Sequence, residues 1–168
     1  MGTRPTRMPG RNKVSAANLD CATAFQKIAR DCVTSIEAHH SRARAADAEA
    51  VHQIRVAITR LRAAVAFFGP VVVDPEWLRL KKEIAWLNVS LGAARDSDVS
   101  VEYTRRKRYQ TWAEREIGDD LARRRLQDHQ RLLISLRSSR FKRLIVAISH
   151  WVEGGPWLAR WERRMRHR

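Results

Sequence analysis

Apolar side chains recur along this chain at steps of three and four residues, as in the series Ala22, Phe25, Ala29, Cys32 and Ile36. In an α-helix, residues with this spacing lie on one face, which can then be buried. No stretch shows the period of two that is typical of a half-buried strand. The periodicity therefore predicts an all-α fold.

Four long helices and a short fifth segment account for these stretches, and they predict an antiparallel four-helix bundle over about residues 17–158. Residues 1–16 hold prolines, glycines and basic residues without periodicity, and we expect a mobile basic tail there. Residues 159–168 are predicted to form a basic C-terminal connector.

Capping residues mark where three of these helices begin. Asp47 is placed to cap the second helix. The motif "DPEW" at 74–77, with proline at the first helical position, is typical of a helix start and predicts the beginning of the third. Ser138 or Ser139 is expected to cap the fifth segment.

The charge of the chain indicates a polyanionic partner. There are 33 Lys plus Arg against 18 Asp plus Glu, a formal net charge of +15. Such an excess attracts nucleic acid, an anionic membrane surface or a phosphate polymer. No stretch approaches the roughly 20 apolar residues of a membrane span. Cys21 and Cys32 are about 16 Å apart along one predicted helix, too far for a disulfide, so we expect reduced thiols and a cytoplasmic location.

The second helix places His52, Arg55 and Arg62 on a polar ribbon beside its apolar stripe, along about 15 Å of helix. No carboxylate occurs between residues 50 and 73. Like charges at a partly shielded flank destabilise a protein unless a ligand supplies the counter-charge. This pattern favours an anion site, although arginines on a bundle helix often form only a solvated face.

Two stretches of the sequence resemble the CHAD family, the conserved histidine α-helical domains. "VHQIRVAITRLRAAVAFF" is similar to the family's helix V-H-x-x-R-V-x-x-R-R-L-R, and "LKKEIAWLNVSLGAARDSDV" to its L-G-x-x-R-D-x-D-V segment. A weaker third match is "SSRFKRLIVAISHWVEGGPW". Together these motifs cover about residues 18–158 in the family's order.

The resemblance implies a domain that binds inorganic polyphosphate through basic residues on its helices, in phosphate-storage settings such as granules. Thr59 stands where the family has the first of two paired arginines, so the site lacks one charge. Lys81 is added because it lies within about 40° of Arg95 around the third helix, and Arg143 because it neighbours Arg140. The candidate site residues are therefore His52, Arg55, Arg60, Arg62, Lys81, Arg95, Arg140 and Arg143.

Members of the family commonly contain two half-domains related by a pseudo-twofold axis, each with its own histidine motif. This chain has one such motif, at His52, so it resembles a single half. The chain is then either a truncated product or a protomer that pairs with itself or with a second CHAD-like half. A homodimer would use the same patch twice.

No motif of the sequence points to an enzyme, a cofactor or a metal site, since a Gly-rich phosphate loop, H-E-x-x-H and C-x-x-C are all lacking. We interpret Asp96 and Asp98 as structural, and His129, which lies on the apolar stripe of its helix, as a core or boundary residue. The basic runs at 105–108 and 123–125 leave two alternatives open. One is a nucleic-acid or ribosome-associated binding protein, and the other is a scaffold that delivers a partner to polyphosphate granules.

Overall fold

The fold consists of helices throughout the described part of the chain. The computed structural model describes residues 11–106 and 112–167, which form seven helices and no strand. The predicted all-α fold is confirmed. The helices are α1 (Arg11–Arg44), α2 (Ala48–Phe67), α3 (Gly69–Val72), α4 (Pro75–Arg106), α5 (Trp112–Arg137), α6 (Ser139–Gly154) and α7 (Pro156–Arg166).

The four long predicted helices correspond to α1, α2, α4 and α5, and the predicted fifth segment corresponds to α6. At the ends of the chain the bounds differ from the sequence prediction. Helix α1 begins at Arg11, inside the predicted tail, and residues 1–10 lie outside the described residues. Helix α7 covers most of the predicted connector, because Trp157 is buried and Leu158 and Trp161 pack against the core.

The predicted caps are present. The Asp47 carboxylate accepts a hydrogen bond from the Ala50 amide at 2.9 Å and is ion-paired with Arg42. The Ala50 amide and then Arg42 hold the pKa of Asp47 below its usual range. Ser138, one of the two predicted caps of α6, accepts from the Phe141 amide at 3.1 Å. These contacts fix where α2 and α6 begin.

The core joins the apolar stripes of α1, α2, α4 and α6 to two residues of α5, Leu132 and Leu136. The heptad-like spacing along α5 predicts an inward face shared by Leu126, His129, Leu133 and Leu136, and this prediction is partly wrong. Leu126 is 60% exposed, whereas His129 is buried as the stripe predicts, and polar Asp128 is buried beside it. Helix α5 can bury these polar groups because α4 supplies their partners.

A buried carboxylate, Asp74, connects α4 to α6 and α7. It accepts hydrogen bonds from the Trp77 amide at 2.8 Å, the Trp157 amide at 3.1 Å and the Trp151 indole N–H at 3.1 Å. The indole of Trp157 in turn donates to the Trp151 carbonyl at 2.8 Å. Phe25 of α1 packs edge-on against the rings of Trp151 and Trp157, which closes this end of the core.

Asp74→Ala should lower the free energy of unfolding by at least about 3 kcal/mol, because three buried N–H donors lose a charged acceptor. The measurement is urea denaturation followed by tryptophan fluorescence. Asp119→Ala, at an exposed position of α5, is the control and should change stability by no more than about 0.5 kcal/mol. Equal losses in the two variants would contradict this role for Asp74.

Candidate anion-binding groove

Helix α2 buries one face in the core, and its half-buried flank with His52 and Arg55 borders α4. The two helices enclose a pocket of about 540 Å³. Three arginines and a histidine contribute to its walls, two of the arginines from α2 and one from α4. The lining residues are His52, Arg55, Val56, Thr59, Arg60, Ala63, Arg95 and Asp96.

A second pocket, of about 620 Å³, adjoins the first further along α2 and shares Thr59 and Ala63 with it. Arg62 of α2 and Lys81 of α4 are its cationic side chains, and its other lining residues include Gly69, Trp77 and Leu78. We refer to the two adjoining pockets together as the α2–α4 groove. Thr59, which stands where the family motif has an arginine, lies at the junction between the two pockets.

The cations of the groove have few partners. Arg55 has two neighbours, with its Nη1 3.5 Å from the Gly92 carbonyl and 3.5 Å from the Asp96 carboxylate. This carboxylate corrects the expectation that the ribbon has no acidic partner, since Asp96 reaches Arg55 from the other helix. Within the described residues, no hydrogen bond or ion pair is made by the side chains of His52, Arg60, Arg62, Lys81 and Arg95.

The positive charge of Arg60 also acts on a core residue outside the groove, Cys32. Burial raises the pKa of the Cys32 thiol on α1, and the positive charge of Arg60 opposes this by favouring the thiolate. Arg60 therefore lies close enough to α1 for its charge to act on Cys32, and it also lines the first pocket.

Arg140 and Arg143 do not reach the groove. They line a separate pocket of about 370 Å³ between α4 and α6. The Nε and Nη2 groups of Arg140 donate to the Glu83 carboxylate at 2.6 and 3.1 Å, and its guanidinium carbon lies 4.2 Å from the centroid of the Trp86 ring. The structure therefore separates the predicted site residues into two groups, and Arg140 already has a counter-charge.

A polar network between α4 and α5 also contacts the turn just before α2. Asp98 accepts from Arg125 at 2.7 Å and from His129 at 2.8 Å, which fits the interpretation of Asp98 as structural. Arg125 also donates to the Ala46 carbonyl at 3.0 Å, in the turn just before α2. Sequence analysis missed this network, although Arg125 and His129 are four residues apart and so share a helix face.

The described residues contain neither a metal-binding cluster nor a membrane-spanning helix. Within them no group of three or more His, Cys, Asp or Glu side chains could hold a metal ion. None of the described helices has the length and apolar character to cross a membrane.

The fold and the site together define a class of protein: an all-α domain with a cationic groove between two of its long helices. The family model of the CHAD domain matches residues 27–167, and the chain belongs to this family. A solved structure, the crystal structure of the CHAD domain from the plant Ricinus communis, matches at 27% identity with a TM-score of 0.72. The match covers 87% of this chain and 52% of that one, so this chain spans about half its length. Among curated proteins no match was found.

Arg140→Gln should raise the pKa of Glu83 toward its ordinary value, because the Arg140 hydrogen bond and then its charge lower that pKa. In the wild type the pair's stabilisation is full above the ordinary glutamate pKa and is lost as the pH falls through the lowered pKa of folded Glu83. Carboxyl carbon NMR titration measures the change. The pKa of Glu153, which Arg30 lowers, should stay the same. A Glu83 pKa unchanged by the substitution would show that Arg140 does not set it.

Proposed function

We propose that this protein binds inorganic polyphosphate in the α2–α4 groove. The observation that carries the proposal is the charge imbalance of the groove. Among the described residues that line it, four arginines, one lysine and His52 stand against one carboxylate, that of Asp96. An elongated polyanion would supply the missing counter-charges. Membership of the CHAD family supports the same ligand.

The groove suits a linear phosphate chain because its cations are spread along both helices. His52 and Arg62 are about 15 Å apart along α2, so one chain could contact several cations in turn. Each guanidinium can bind two phosphate oxygens at once, whereas Lys81 acts as a point charge. Affinity would then come from the number of phosphates bound and would fall steeply with salt.

The basic runs that suggested nucleic-acid binding are better neutralised than the groove. Arg106 pairs with Glu102, Arg123 with Asp120 and Arg125 with Asp98. Residues 107 and 108 of the first run lie outside the described residues. These pairs favour polyphosphate in the groove over nucleic acid on the basic runs.

The proposed activity is binding, with neither catalysis nor a cofactor, in the cytoplasm at polyphosphate granules. Binding alone would be sufficient for a scaffold that carries a partner protein to such granules. Arg140 and Arg143 would contribute only a second, weaker contact, since Glu83 partly neutralises their pocket.

The proposed partner on the protein side is a second half, supplied by another copy of this chain. This chain spans about half of the Ricinus communis CHAD chain, and a twofold dimer would present the groove twice. Multi-angle light scattering should then give twice the chain mass of 19.4 kDa. A single-chain mass at the working concentration would contradict a homodimer and leave a separate half as the partner.

Replacing three groove residues tests the main proposal. The triple variant His52→Ala/Arg55→Ala/Arg62→Ala should lose at least about a hundredfold in affinity for fluorescent long-chain polyphosphate, since three contacts to phosphate are removed at about 1 kcal/mol or more each. Binding is measured at near-physiological salt with single-stranded DNA as competitor, and helicity is checked by circular dichroism.

The matched control removes the same residue types from exposed positions outside the groove, in His150→Ala/Arg163→Ala/Arg164→Ala. It should retain most of the affinity, although both variants lose the same formal charge. Equal losses in the two variants, or DNA that competes as well as polyphosphate, would indicate a generic polyanion surface and overturn the proposal.

A further inference from the structure

Asp96 is the single carboxylate among the described residues that line the groove, and it lies beside Arg55. Its Oδ1 is 3.5 Å from Nη1 of Arg55, and the Asp96 side chain is 82% exposed. The same residue lines a further pocket of about 470 Å³ on the other side, between α4 and α5. Asp96 therefore lies on the ridge that separates the two pockets.

The contact between Asp96 and Arg55 is weak. A separation of 3.5 Å exceeds the 2.7–2.9 Å of a strong charge-assisted hydrogen bond. Arg55 is about as far from its other neighbour, the Gly92 carbonyl. Exposed ion pairs of this kind contribute little, because water and salt screen them. An incoming anion can therefore replace the carboxylate at Arg55 at small cost.

We propose that Asp96 competes with the bound anion: it neutralises Arg55 in the free protein and is displaced when phosphate binds there. The inference rests on the proposed function for the identity of the anion. A fixed carboxylate in the site also repels any phosphate nearby, so Asp96 limits affinity in two ways. The affinity of the groove for phosphate is consequently lower than its cations alone would give.

The α4–α5 pocket, which Asp96 also lines, contains a second cation. Arg124 lines the α4–α5 pocket together with Asp96, and its Nε lies 4.0 Å from Asp128, its neighbouring carboxylate. Asp128 is itself engaged by the Ser97 hydroxyl. Arg124 is therefore incompletely paired and can attract Asp96 once the anion occupies Arg55.

The test compares Asp96→Asn with Asp120→Asn, which removes the same charge from an exposed ion pair with Arg123 on α5. Titration calorimetry with long-chain polyphosphate should show about fivefold tighter binding for Asp96→Asn, the effect of one exposed ion pair. Asp120→Asn should stay within about twofold of the wild type. Both positions are exposed, and circular dichroism should show unchanged helicity.

A second readout separates this inference from the proposed function. Pyrophosphate is titrated while NMR follows the side-chain Nε–H signal of Arg55, which should saturate at lower concentration in Asp96→Asn. If polyphosphate fails to bind the wild type but this shift in saturation occurs, the proposed function fails and the role of Asp96 stands. If Asp96→Asn binds no more tightly than Asp120→Asn, or if pyrophosphate leaves the Arg55 signal unmoved, the inference is overturned.

Discussion

The buried carboxylate of Asp74 determines where one wall of the groove stands. It caps the start of α4 and binds Trp151 of α6 and the first turn of α7, so three helices share a single acceptor group. Nearby, Arg160 donates to the carbonyls of Val71 and Val73, which holds the segment before α4 against α7. Helix α4 has a regular rise per residue, so fixing its first residue also fixes the positions of Lys81 and Arg95 along its axis, opposite α2.

Helix α2, the other wall of the groove, is also positioned by carboxylates that accept hydrogen bonds. Asp47 caps α2, and Arg125 connects the turn before it to buried Asp98 on α4. Both walls therefore depend on carboxylates that accept hydrogen bonds from neighbouring elements, although Oδ2 of buried Asp98 has no hydrogen-bond partner among the described residues. Asp47, Asp74 and Asp98 are thus used for structure, and the cations of the groove remain with little neutralisation.

Periodicity, capping residues and family motifs were sufficient to predict the four long helices and α6, three helix caps and the flank of α2 that lines the groove, but not α3 or α7. The pair of Arg55 with Asp96 and that of Arg140 with Glu83 could not be predicted, because each joins helices whose relative rotation the sequence does not specify. The burial of Asp128 on α5 could not be predicted for a related reason. A hydrophobic pattern expects a leucine such as Leu126 to be buried, but Asp128 is buried instead because Ser97 of α4 pairs with it. Buried His129, which pairs with Asp98, agrees with the prediction.

The charge that favours binding must also destabilise the free protein, since the cations of the groove repel one another across a partly shielded space. A ligand that binds the folded state alone adds stability in proportion to the logarithm of its concentration over its dissociation constant. Polyphosphate would therefore relieve the same repulsion that its affinity depends on. Asp96 moderates both effects at once, because it partly neutralises Arg55 in the free protein and opposes the anion that replaces it.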